Sequence, residues 1–213
     1  MAPDVASNAR MTAELPSVDA LWLDALQRTC TRAAHELKGA LNGVSVNLEV
    51  VRSRSERPDT PASAVAKYAA SATDQLAAVI LMTDALLSLA RPVREPVNIG
   101  LVLRRLEVLL ASAARADGRA LELRGSIDDI GTTSAIGNAS RMVLLASLLA
   151  ALEASTDVVC SVETSADDCV VVLQIECRDG AAVRLDADVV AVAAEQGIDL
   201  HAESSTISIS LPR

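Results

Sequence analysis

Phenylalanine is absent from the 213-residue chain, and Trp22 and Tyr68 are its only aromatic residues. Ring stacking therefore cannot fill the interior, so the apolar volume must come from Ala, Leu and Val. Ala and Leu favour helix, whereas Val-rich runs near the C-terminus favour strand. Basic charge is also short: 19 Lys and Arg face 28 Asp and Glu, for a net charge of −9. Phosphate backbones and anionic membranes would be repelled, and nucleic acid is not an expected partner. Cys30, Cys160, Cys169 and Cys177 show no CxxC spacing, and His35 and His201 lie far apart, so no metal site is expected. The thiols read as reduced and mostly buried, in a cytoplasmic protein. Residues 1–16 lack the apolar block of a secretion signal and read as a flexible tail. The longest apolar run, residues 142–152, falls short of the roughly 20 residues that span a bilayer, so no direct membrane insertion is expected.

From residue 18 the apolar positions step by threes and fours: Leu23, Leu26, Cys30, Ala33, Leu37, Ala40, Val44, Leu48 and Val51. That is the seam of a helix packed in a bundle, capped by Ser17 and running to about residue 55. "SERPDTPAS" ends it with Pro58 and Pro61, and Asp59 or Thr60 offers a cap for the next helix. Residues 62–90 repeat the seam through Val65, Tyr68, Ala72, Leu76, Val79, Leu86 and Ala90. An isolated hairpin buries each helix on one side alone. A two-fold homodimer forming a four-helix bundle is the economical completion.

"ARPVREPVN", with Pro92 and Pro96, marks a boundary. Beyond it the pattern mixes: helix at 99–116, strand at "ALELRG", buried helix at 140–154, strands at "VVCSVET" and "CVVVLQIEC", helix at 187–195, and closing strands "DLHAES" and "TISISLP". The fold class is α+β: a long helical hairpin over residues 17–91, then an α/β sandwich over 97–213 with one sheet covered by helices.

His35 falls at heptad position f, on the polar stripe of Arg28, Asn42 and Glu49, and so faces water. A histidine there is most simply a solvated surface residue, and His201, in a strand near the end, reads as structural. The residues around His35 carry more. "HELKGALN", on the first helix of a hairpin followed by an α/β domain, resembles the phosphoacceptor box of the histidine kinases. "EPVNIGLVLRRLEVLLASAARADGRALELRG" resembles the opening helix and strand of that family's ATPase-like domain, "RMVLLASLLAALEAS" its second helix, and "EQGIDLHAESSTISISLP" its closing strands.

The departures from the family pattern shape the expected function. Where competent kinases have a magnesium-holding asparagine, this chain has Ala150, and a methyl group coordinates nothing. "RDGAA" keeps Asp179 and Gly180 but not the second glycine of the adenine turn, and the glycine-bearing lid is missing between Val183 and residue 187. ATP binding is therefore not expected. A phosphoacceptor hairpin joined to a degenerate ATPase-like domain resembles the dimeric histidine phosphotransferases of the ChpT type. The resemblance implies relay of a phosphoryl group between receiver-domain aspartates, with receiver domains of response regulators and an upstream histidine kinase as partners. "HELKG" also resembles the monomeric histidine phosphotransfer domain, but that pattern continues to a glycine where this chain has Ser45, and it lacks an α/β tail.

On this reading His35 carries the phosphoryl group. Glu36 orients the ring or takes its proton, and Lys38 offsets the added charge. Thr31, Gly39, Leu41 and Asn42 meet the partner, the magnesium belongs to the receiver, and Gly39 in place of Thr or Asn implies little phosphatase activity. An active sensor-type kinase and a non-catalytic dimeric scaffold are the rival readings.

Overall fold

The computed structural model describes residues 15–59, 61–135, 137–164 and 170–213. Most of the expected tail, together with Thr60 and Cys169, lies outside them. Two helices, α1 (Val18–Ser55) and α2 (Ser63–Ala90), form an antiparallel hairpin. Ser17 caps α1, its hydroxyl accepting from the Ala20 amide at 3.2 Å. The capping expected from Asp59 is not seen: α2 starts at Ala62 with no side-chain cap, and the Pro61 carbonyl takes the Ala64 amide at 2.9 Å.

Leu26 and Ala33 are buried in the hairpin seam as their spacing predicts, but Leu23, Leu48 and Leu76 are about half exposed. The apolar stripe is wider than one partner helix can cover. A polar layer interrupts the seam. Asn47 donates from Nδ2 to Ser71 Oγ and to Gln75 Oε1, both at 3.1 Å. Gly43 makes room for it, since a Cβ there would stand 2.4 Å from Gln75 Nε2. By length and composition alone α2 could cross a membrane. Counting uninterrupted apolar runs overlooks this because Asp74, Gln75, Thr83 and Asp84 break them up.

The remainder is α3 (Ile99–Ala116), β1 (Ala120–Arg124), α4 (Gly137–Ala154), β2 (Asp157–Thr164), β3 (Val170–Cys177), α5 (Ala187–Glu195), β4 (Asp199–Glu203) and β5 (Thr206–Pro212). The sheet runs β1-β2-β3-β5-β4, with β1 parallel to β2 and every other pairing antiparallel. Alternation along the strands sets its two faces. Val171, Leu173, Ile175, Ile207, Ile209 and Leu211 point into the core, while Gln174 and Glu176 point to water. His201 lies on the watery face, its Nε2 2.6 Å from Asp199 Oδ1 and both side chains exposed.

Helix α4 is buried almost all round, from Asn138 to Leu152. A helix apolar on every side needs cover on every side. The sheet packs on one flank and α1 on another, and one apolar cluster runs from Trp22, Leu26 and Leu89 through α3 and α4 into the sheet. The linker is pinned as well. Asn138 accepts from the Val93 amide through Oδ1, donates its own amide to the Val93 carbonyl, both at 3.2 Å, and gives Nδ2 to Asp19 at 2.8 Å.

Beside Asn138 sits Arg141, only 2% exposed. Helix α2 ends at Arg91 in extended backbone, with no glycine cap to take its last carbonyls. Arg141 takes them. Its guanidinium donates to the carbonyls of Arg91 at 2.8 Å, Ser88 at 3.3 Å and Leu89, and lies 4.5 Å from the centroid of the Trp22 ring. Burial, with Arg105 nearby, pushes it down to about 10, so it stays cationic at neutral pH against the negative end of α2. Replacing Arg141 by Met leaves those carbonyls unmet and is expected to cost about 3 kcal/mol. Thermal unfolding followed by circular dichroism should then show Tm falling by roughly 6–12 °C.

Candidate functional site

His35 stands midway along α1 with its side chain 86% exposed. Nδ1 is 3.5 Å from Glu36 Oε1, and Glu36 itself is only 22% exposed. With the ring proton on Nδ1 facing that carboxylate, the Nε2 lone pair is free toward solvent. The heptad argument thus places the ring correctly. Thr31, Lys38, Gly39, Leu41 and Asn42 surround it on the same stretch of α1, all five exposed. The Thr31 hydroxyl donates back to the Gln27 carbonyl at 3.0 Å, so only its lone pairs and methyl are left for a partner.

The neighbourhood of His35 also includes the α/β part. An open hollow of about 250 Å³ is lined by Arg32, His35 and Glu36 from α1 and by Ala113 and Asp117 from the end of α3. Glu153, in the last turn of α4, binds Arg28, and Arg32 approaches the same Oε1 at 3.7 Å. Arg32 was visible in the sequence as a charge three residues before His35, but Asp117 and Glu153 were not. Their proximity depends on how α3 and α4 dock on the hairpin, which local spacing does not carry.

Ala150, which the sequence resemblance sets where histidine kinases carry a magnesium-holding asparagine, is half-buried in a second hollow of about 230 Å³. Leu21 and Ala25 of α1 close one wall of it, and Leu185 and Val189 another. Small-molecule sites are usually larger, roughly 300–1,000 Å³. Asp179 bridges its own turn and the segment before β2. One carboxylate oxygen takes the Thr156 amide at 3.0 Å and the other the Ala181 amide at 3.1 Å, and these bonds hold the acid below the ordinary carboxylate range. Residues 181–186 lead without a lid to α5, where Asp186 caps the helix by accepting the Asp188 amide at 2.9 Å. Among the described residues no three or more His, Cys, Asp and Glu side chains are grouped as metal ligands.

Of the cysteines, Cys160 and Cys177 are buried and Cys30 is half-buried, all as free thiols. Burial pushes Cys160 up to about 12.

No family model matches the sequence, and no curated protein matches it. Solved structures similar in fold include two histidine kinases. One is the histidine kinase AdeS of Acinetobacter baumannii, at 12% identity and a TM-score of 0.41, covering 84% of this chain and 96% of that one. The other is the histidine kinase ThkA, solved in complex with the response regulator TrrA, at 14% identity and a TM-score of 0.43, covering 89% of this chain. The chain spans 62% of the length of that ThkA chain. Likeness at this level leaves the functional reading to the residues themselves.

The two glycines of α1 near the site differ in surroundings. A Cβ at Gly39 meets nothing within 4 Å, whereas one at Gly43 displaces the Gln75 amide. Gly39→Ala should therefore gain about 1 kcal/mol of helix propensity and raise Tm by roughly 2–4 °C. Gly43→Ala, which breaks the Asn47–Gln75 bond, should melt at or below the wild type in the same experiment.

Proposed function

We propose that the chain is a histidine phosphotransferase, relaying a phosphoryl group between receiver-domain aspartates through His35. The observation that carries this reading is the ring itself: mid-helix, almost wholly exposed, with one nitrogen beside Glu36 and the other open. In transfer from a receiver, Nε2 forms the N–P bond as the acyl-phosphate O–P bond breaks. The receiver's aspartate leaves as a carboxylate, and Glu36 takes the Nδ1 proton. Phosphoryl transfer through a loose transition state asks for position and charge rather than covalent assistance, and a rigid helix supplies position. Lys38 lies one turn along and offsets the −1.5 to −2 charge of the bound group. The bare surface at Gly39 and the exposed Leu41 and Asn42 leave room for a receiver loop. Magnesium belongs to the receiver.

On this reading the phosphoryl group comes from an upstream histidine kinase by way of a receiver, and ATP is not a substrate. Ala150, the engaged Asp179 and the missing lid support that. The expected result is acid-labile label on His35 when the protein is mixed with phosphorylated receiver domains and magnesium. His35→Gln should lower transfer at least 100-fold, and labelled ATP should give none. Label from ATP would establish an active kinase instead; relay unchanged in His35→Gln would make the protein a scaffold. With Gly39 four residues past the histidine, phosphorylated receivers should lose no label to water any faster in its presence.

We also propose that the chain works as a homodimer. Leu41, Leu48, Leu76, Ile80 and Leu87 leave an apolar surface on the hairpin, and a second hairpin would complete a four-helix bundle over it. Light scattering on the purified chain should give twice the 22.2 kDa chain mass. Leu76→Glu combined with Ile80→Glu should halve it.

A further inference from the structure

We propose that Arg32 is the cation that holds the phosphoryl group on His35, and that Glu153 holds Arg32 in reserve until that group arrives. The inference rests on the phosphotransfer reading and extends it to a residue three positions away and to a second part of the fold.

The hollow beside His35 is lined by one cation and two carboxylates, Arg32 against Glu36 and Asp117. Arg32 is the cation of that lining to set against the −1.5 to −2 charges of a phosphoryl group, with Lys38 outside it on the next turn. Residues at i and i+3 of a helix are neighbours, with Cβ atoms about 5–6 Å apart, so the guanidinium reaches the ring's substituent without any backbone motion. A planar fork of donors also suits a tetrahedral oxyanion better than a flexible ammonium does.

What Arg32 has instead, before phosphorylation, is a loose hold. Its Nη2 is 3.7 Å from Glu153 Oε1, an oxygen that Arg28 already occupies at closer range. Both partners of the Arg32–Glu153 pair are about two-fifths exposed, and an ion pair of that kind is worth little. Exchanging it for a doubly charged oxyanion is downhill, and Glu153 keeps Arg28 when Arg32 departs. Phosphorylation therefore removes one of the two arginines that tie α1 to the end of α4. The relay state is felt at the junction between hairpin and sheet.

The test uses the full chain and phosphoramidate, a small donor that needs no receiver. Its P–N bond breaks as Nε2 forms the new N–P bond, and ammonia leaves with the ring proton as ammonium. Label on His35 should accumulate about tenfold more slowly in Arg32→Gln and about threefold faster in Glu153→Gln, with Arg32→Lys between Arg32→Gln and the wild type. The ³¹P signal of the phosphohistidine should titrate at higher pH in Arg32→Gln than in the wild type, a shift that a merely structural ion pair would not produce. Wild-type rates and an unchanged ³¹P titration in Arg32→Gln would overturn the proposal. So would Arg32→Gln and Glu153→Gln moving the rate in the same direction, or an absence of label on wild-type His35. If the wild type takes label from phosphoramidate, with the expected variant pattern, but exchanges none with any receiver, the relay reading fails while the phosphate site stands.

Discussion

A single buried cation holds the two parts of this protein in one arrangement. Among the described residues, Arg141 pairs with no carboxylate in its interior setting. It meets the unsatisfied carbonyls at the end of α2 and the ring of Trp22 on α1. One side chain from α4 thereby closes the base of the hairpin and clamps both its helices to the α/β layer. Asn138, one turn earlier, does the same for the linker through Val93 and for the start of α1 through Asp19. Removing a charge from water is costly, and it is compensated here because several orphaned acceptors and an aromatic face converge on it. The hairpin base and the sandwich consequently share one apolar cluster, and the proline-rich connection between them is fixed to α4.

Most of the architecture was legible in the sequence because it is written in local patterns. The three-four spacing in α1, the alternation in "TISISLP" and the prolines between segments each have one natural reading, and the helices and strands lie where those readings put them. The exposure of His35 was legible for the same reason, since a heptad position fixes the direction of a side chain. Two kinds of information were not local. The extent of burial at Leu23, Leu48 and Leu76 depends on how many helices pack together, which a single chain's spacing does not state. The partners of Arg28, Arg32 and Arg141 come from distant segments of the chain, so spacing alone shows neither that Arg141 clamps the end of α2 nor that Arg32 lines the hollow beside His35. Capping at Asp59 failed for a smaller reason: Pro61 lets the helix begin on its own carbonyl.

The α/β part is instructive for what its side chains are occupied with. Asp179 ties the turn after β3 to the segment before β2 by accepting the Ala181 and Thr156 amides. Ala150 contributes a methyl to a small hollow walled partly by α1. Ala150 thus serves the packing of the α/β part against the hairpin. A lobe employed in this way still contributes to the surface around His35, through the ends of α3 and α4.

The Asn47, Ser71 and Gln75 layer, with Gly43 beneath it, acts as an alignment pin for the stalk. Sliding α2 along α1 by one turn is a displacement of about 5.4 Å, and apolar side chains of similar size would tolerate it. Three amide and hydroxyl groups that fit one another at a single height would not, because each would be stranded among leucines. The elevation of the imidazole above the sandwich is therefore set at a point about three turns distant from it, by groups that never touch the ring.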